Sequence, residues 1–237
     1  MRAIVFSKKN TPVLIEKPTE KPQSSQVLIE IHASGICHTD LEVMRGNYGS
    51  SAFPLIPGHE YAGLVSQIGP DVTNLQVGDR VVVDPNLECG SCPACKKGWA
   101  HLCETLGAYG VTCDGGFAEY SLVQASQVHS IGDMPYEIAA LAEPLGCVLN
   151  GLQAAQAHRA GSALIFGAGP IGLLMAIGLQ VSGLTNISLV DLDRTRLSLA
   201  ESFGFKAIEA HSDALNSLRQ NVDLVADATG VPAVATK

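Results

Sequence analysis

Short apolar–polar alternations fill the first half of the chain, and longer apolar runs at helical spacing fill the second. Ala3–Phe6, Gln26–His32, Tyr61–Ile68, Arg80–Val83 and Phe117–Val123 carry β-branched or aromatic residues and alternate with Gly- and Pro-containing turns. That pattern predicts strands. His38–Arg45 is predicted as a short helix. A helical stretch follows Pro135 and leads into Glu143–Gln156, since proline in a first helical turn sacrifices no hydrogen bond.

After residue 160 the order becomes strand, helix, strand, helix. Ser162–Phe166, Ile187–Val190, Lys206–Glu209 and Val222–Ala226 read as strands, with helices over Ile171–Ser182 and Arg194–Phe203. Such alternation predicts a parallel sheet with crossover helices. The fold class is therefore α/β joined to a β-rich domain, divided as 1–150 and 151–237.

Composition narrows the function classes. The net charge of −8 over 237 residues excludes the basic footprint of a nucleic-acid binder. The most apolar stretch, Ile171 to Val181, is too short to span a membrane. The first residues lack a signal-peptide core, and seven cysteines without one point to a reducing, cytoplasmic setting.

Four of those cysteines, Cys89, Cys92, Cys95 and Cys103, follow the spacing C-x2-C-x2-C-x7-C. Two disulfides or four unrelated thiols would also account for four cysteines. The crowding favours a closed set of thiolates around one structural zinc, with no position left for water.

Gly167-Ala168-Gly169-Pro170-Ile171-Gly172 follows a predicted strand and opens a predicted helix, the context a dinucleotide-binding turn requires. The first glycine allows the tight turn, the second a close approach to pyrophosphate, and the third close helix–strand packing. Asp191 ends the next strand, nineteen residues after Gly172, where a carboxylate accepts from a ribose diol and repels a 2′-phosphate. That selects NAD over NADP, with Arg194 and Arg196 as the opposing feature. Asp193 is predicted to cap the following helix.

Cys37-His38-Thr39-Asp40 and Gly58-His59-Glu60 add a thiolate and an imidazole beside glycines, which suits an open metal site with three protein ligands. Glu143 and Cys147, one helical turn apart, are the remaining ligand candidates.

Taken together, GICHTD at 35–40, PGHEYAG at 57–63, VGDRV at 77–81, the four-cysteine lobe, DGGFAEY at 114–120 and GAGPIG at 167–172 carry a resemblance. The chain resembles the zinc-dependent medium-chain dehydrogenases of the alcohol, polyol and threonine type. The resemblance implies a chaperonin-10-like, partly open β-barrel followed by a Rossmann domain. It implies that Cys37 and His59 are ligands of a catalytic zinc, with Glu60 beside the metal and Asp40 orienting His59. Glu143 takes the remaining ligand place, with Cys147 as runner-up or nicotinamide contact. Thr39 matches the hydroxyl that relays the substrate proton, while Glu42 stands where many relatives have histidine.

The implied activity is hydride transfer between NAD(P) and a polyol, sugar alcohol or amino alcohol such as threonine. Simple primary or secondary alcohols are the alternative substrates, and an inactive homologue that binds only zinc or nucleotide is the alternative of another class. Related quinone reductases typically lack the Cys37/His59 pair and the four-cysteine lobe. Relatives are longer, so the chain is expected to be a C-terminally shortened form with sheet order 3-2-1-4 and an exposed last strand. At full length the resemblance implies a homodimer or homotetramer.

Overall fold

The computed structural model describes residues 1–49, 52–218 and 221–234. The chain forms two compact units, Met1–Glu143 and Pro144–Lys237.

The first unit opens with a hairpin of β1 (Arg2–Lys8) and β2 (Thr11–Glu16). Strand β3 (Gln26–Ser34) leads through a short loop into helix α1 (His38–Arg45), and β4 (Tyr61–Ile68) and β5 (Arg80–Val83) follow. The lobe comprises β6 (Asn86–Leu87), the single turn α2 (Pro93–Lys96) and β7 (Gly107–Ala108). Strands β8 (Tyr120–Gln124) and β9 (Val128–Ser130) complete an antiparallel sheet of order β8-β3-β4-β5-β9. Helix α3 (Tyr136–Ala139) and the start of α4 (Ala142–Ala154) end the unit.

Val27, Ile29, Tyr61, Val65, Val81 and Val123 are fully buried along one face of this sheet. Their period of two turns one face of each strand inward, as the sequence alternation predicts. Antiparallel pairing sets Ser34 opposite Tyr61, so the segment leaving β3 and the segment entering β4 run side by side. The pairing extends one step further, with Gly35 N–H donating to the Glu60 carbonyl at 2.7 Å.

In the second unit, β10 (Ala163–Phe166), α5 (Pro170–Val181), β11 (Ile187–Asp191), α6 (Arg194–Ser202), β12 (Lys206–Glu209), α7 (Ala214–Leu218) and β13 (Leu224–Asp227) alternate. The parallel sheet has the order β12-β11-β10-β13, which is the predicted 3-2-1-4. Ile165, Leu179 and Leu189 are buried at its centre. Val225 on β13 is 58% exposed, as befits a terminal strand.

Two expectations shift. The strand predicted from Phe117 begins at Tyr120, because residues 117–119 bond in turn to Pro57, Ile4, Arg2 and Ile31 rather than to one neighbour. The last strand is Leu224–Asp227 rather than Val222–Ala226. The hairpin partner β2 and the short β9 lie outside the sequence reading, β2 because its side chains are mostly exposed and carry no alternation of burial.

Candidate active site

Each of the two adjoining segments brings its own ligand types. Cys37 is the extended residue that begins α1, and Asp40 in the first turn accepts from the Cys37 N–H at 2.8 Å. The other Asp40 oxygen accepts from the Gly58 N–H at 3.2 Å, so one carboxylate ties the two ligand-bearing loops together. Gly58 has φ +93°, and a Cβ there would stand 2.4 Å from the Phe117 ring. Only glycine fits this turn, which delivers His59 and Glu60 to the start of β4.

A Cys37 sulfur, a His59 ring nitrogen and a Glu60 carboxylate oxygen lie within 4.8 Å of one another. His59, Glu60 and Asp40 are all buried. Burial by itself would lower the His59 pKa, but the Asp40 carboxylate and the Cys37 sulfur outweigh it and hold the ring up at about 10. Nδ1 of His59 is 3.3 Å from Asp40 Oδ1 yet makes no aligned hydrogen bond. The Asp40 carboxylate acts on the ring from this close approach, and the Cys37 sulfur acts on it as well. The hydrogen bond from His59 lowers the Cys37 thiol against the effect of burial, and the Thr39 N–H and hydroxyl add to it. Burial raises the Glu60 carboxyl; His59 opposes this, while Glu143 and then Asp40 reinforce it.

This donor set fits a metal. Sulfur, nitrogen and oxygen donors meet at one point, and three protein ligands leave a coordination position for substrate. Glu143 stands outside the 4.8 Å group, close enough for its charge to act on Glu60. Cys147 follows Glu143 by one turn of α4 and is exposed.

The four lobe cysteines form a second group within 4.8 Å. Cys92 and Cys95 sulfurs are 3.5 Å apart and Cys89 and Cys95 sulfurs 4.0 Å. A tetrahedron of sulfurs about zinc has edges of roughly 3.8 Å, whereas a disulfide is about 2.05 Å. Backbone N–H groups of Cys89, Cys92 and Cys95 donate to Cys103, Cys89 and Cys92 sulfurs at 3.3, 3.3 and 3.5 Å. Such donors favour thiolates, and the Ser91 hydroxyl and N–H lead those that bring Cys89 down to about 5.

In the second unit the glycine turn has the form its sequence predicts. Gly167 has φ +97°, and a Cβ on Gly172 would stand 1.8 Å from the Gly167 carbonyl. A Cβ on Gly169 would meet only the Arg196 guanidinium at 3.9 Å, leaving open space for a phosphate above Pro170 and Ile171 at the start of α5. Asp191 accepts from the Ala168 N–H at 2.8 Å and the Asp193 N–H at 2.9 Å, with Arg196 3.7 Å away. Arg194 is paired with Glu209 at 2.5 Å. Asp193 caps α6 by accepting from the Thr195 N–H, as predicted.

Sequence reasoning did not foresee the roles of Gly35, Gly110 and Gly115. A Cβ on Gly35 would meet Glu60, and Cβ atoms on Gly110 or Gly115 would meet the Gly58 carbonyl at 2.2 and 2.1 Å. The glycines are visible in the sequence, but their crossing partners are not.

The chain belongs to the zinc-dependent medium-chain alcohol dehydrogenases; the alcohol dehydrogenase GroES-like domain matches residues 23–133. Among individual proteins, it is similar to D-altritol 5-dehydrogenase of Agrobacterium fabrum strain C58, with 50% identity over 239 residues, 99% of this chain and 71% of that protein. A zinc-binding dehydrogenase of Sinorhizobium meliloti 1021, bound to NADP, superimposes with a TM-score of 0.93 at 30% identity, over 99% of this chain and 71% of that one. An alcohol dehydrogenase of Escherichia coli CFT073, complexed with NADH, gives 0.88 at 31% identity and the same coverage. Among the described residues, no helix is long and apolar enough to cross a membrane.

Proposed function

We propose that the chain carries out hydride transfer between a sugar alcohol or other polyol and NAD(P), with NAD preferred. The carrying observation is the convergence of Cys37, His59 and Glu60, set apart in kind from the closed four-cysteine group. Cys37, His59 and Glu143 would hold a catalytic zinc, with Glu60 beside the metal and one position left for substrate; Cys89, Cys92, Cys95 and Cys103 would hold a structural one. Bound in the open site, zinc supplies Lewis acidity that polarises an alcohol oxygen.

The chain's own residues do the rest. Asp40 orients the His59 ring from the Nδ1 side. The Thr39 hydroxyl, beside Cys37, takes the proton leaving the substrate hydroxyl. Gly167, Gly169 and Gly172 let the backbone of the turn and the first N–H groups of α5 receive the pyrophosphate, with Pro170 and Ile171 beginning that helix. Asp191 accepts from the adenosine ribose and disfavours a 2′-phosphate, and Arg194 is engaged by Glu209 instead. Cys147, one turn past Glu143 on α4, would be the nicotinamide contact. The likeness to D-altritol 5-dehydrogenase supports a sugar-alcohol substrate ahead of threonine or simple alcohols. Seven cysteines fit a reducing cytoplasm, and at full length the active assembly would be a homodimer or homotetramer.

Zinc analysis of the purified chain, paired with a screen of D-altritol, other polyols, L-threonine and primary alcohols against NAD and NADP, tests this reading. Two zinc ions per chain and NAD-linked polyol oxidation are expected. One zinc would leave only the lobe, and none would overturn the reading.

A further inference from the structure

Helix α3 is a single turn, Tyr136–Ala139, with no side-chain cap at its start. A helix that short does not hold itself, so its position must come from what it packs against. Tyr136 stacks on His32 of β3, ring centroids 4.5 Å apart and planes 17° from parallel. Arg80, the first residue of β5, places its guanidinium carbon 3.9 Å from the centroid of the same ring. The Arg80 Nε and Nη2 donate to the carbonyls of Gly132 at 3.0 Å and Met134 at 2.6 Å, pinning the turn that enters α3. The stacked ring and the guanidinium over it together fix this one-turn element.

Fixing α3 also fixes what lies on either side of it. Ala139 and Ala140 are buried with Ala62 of β4, and Tyr136 packs against the same group. Ala62 is two residues past Glu60, and Glu143 is three residues past Ala140. The two carboxylates thus leave from the two sides of one buried contact, and the Glu143 charge is felt at Glu60.

We propose that the stack of Arg80, Tyr136 and His32 is a positioning device for the metal site, setting Glu143 against the cluster of Cys37, His59 and Glu60. The inference rests on the reading of Glu143 as a group of that site. Arg80, Tyr136 and His32 are positioning residues, since none of them belongs to the cluster.

The test uses the full chain with cobalt(II) in the open site and zinc in the four-cysteine lobe. The readouts are the cobalt absorption spectrum and the rate of cobalt release to a chelator. Glu143→Gln is expected to shift the spectrum and speed release about tenfold, the scale for loss of a group that supports a metal site. Arg80→Gln and Tyr136→Leu should shift the spectrum the same way, whereas Tyr136→Phe, which keeps the ring, should behave as the parent. In the Glu143→Gln background, Arg80→Gln should add less than about twofold, because both act through one group. Retention of one zinc in the lobe reports an intact fold. If Arg80→Gln loses that zinc, the Tyr136→Leu and Tyr136→Phe pair decides by the same criteria. Effects that multiply in the double variant, or an unshifted spectrum in the intact stack variants, would overturn the inference while leaving Glu143 in place. An unshifted spectrum in Glu143→Gln alone would remove the reading of Glu143 and the inference with it.

Discussion

A methyl group on Gly35 would stand 2.1 Å from Oε2 of Glu60 and 3.1 Å from its Cβ. The Cβ contact asks for a shift of only a few tenths of an ångström, but the carboxylate end must swing aside. Gly35→Ala is therefore expected to pull Glu60 out of the cluster. Metal release from the open site should quicken about tenfold, while the lobe zinc stays bound. Two-phase chelator titration reads both sites in one experiment; unchanged release in the fast phase would show that Glu60 is not held by this contact.

Glycines that cross other backbones should be far more sensitive than glycines at open turns. A Cβ on Gly115 would lie 2.1 Å from the Gly58 carbonyl and 2.4 Å from the Gly110 α-carbon, and neither can move independently. Gly115→Ala should cost about 3 kcal/mol or more in urea unfolding. Gly78 has φ +97° but nothing within 4 Å of its Cβ position. Gly78→Ala should cost only the backbone strain, about 1–2 kcal/mol. Equal losses at the two positions would contradict the crossing.

Cys103 is the buried member of the lobe group, and its sulfur accepts from the Cys89 N–H at 3.3 Å. Serine is a poor zinc ligand, so Cys103→Ser should lower metal content by one zinc per chain. The lobe then becomes accessible to protease between Cys89 and Cys103, a segment with no core of its own. Limited proteolysis with metal analysis checks this, and a variant that kept its zinc would count against four-thiolate binding.

The Asp191 carboxyl sits below its ordinary value of 3.8. Burial pushes it up, but the N–H groups of Asp193, Ala168 and Leu192 together with Arg196 hold it down. The folded state therefore binds this proton less readily than the unfolded chain. The associated stability is fully present above about pH 5 and is lost as pH falls through the folded value, below 3.8. The unfolding free-energy gap between the parent and Asp191→Asn should be constant from pH 7 to about 5 and shrink below that. Urea melts across this range decide it; a gap that widened toward acid would reverse the sign and sink the assignment.

The sequence made some elements legible and left others hidden. Tyr61–Ile68 and Arg80–Val83 are strands with the bounds their alternation predicts, because each turns one apolar face to the sheet core. The 117–119 stretch changes hydrogen-bond partner residue by residue, and no local pattern encodes that. Asp40 illustrates the same divide within the site. Its place three residues after Cys37 is a local capping relation, whereas its bond to Gly58 spans two distant segments.

By itself, the sequence determined the four-cysteine group, the glycine turn with Asp191, and the strand–helix alternation of the second unit. These depend on residue type at short spacing, where covalent geometry limits what the side chains can reach. Only the tertiary structure decided that Cys37 and His59 meet, because their approach depends on the antiparallel register that sets Ser34 opposite Tyr61. It also decided that Glu60 fills the space over Gly35 and that Arg80 and His32 close on Tyr136. Those contacts join residues far apart in the chain, and long-range packing leaves no periodic trace from which they could be read.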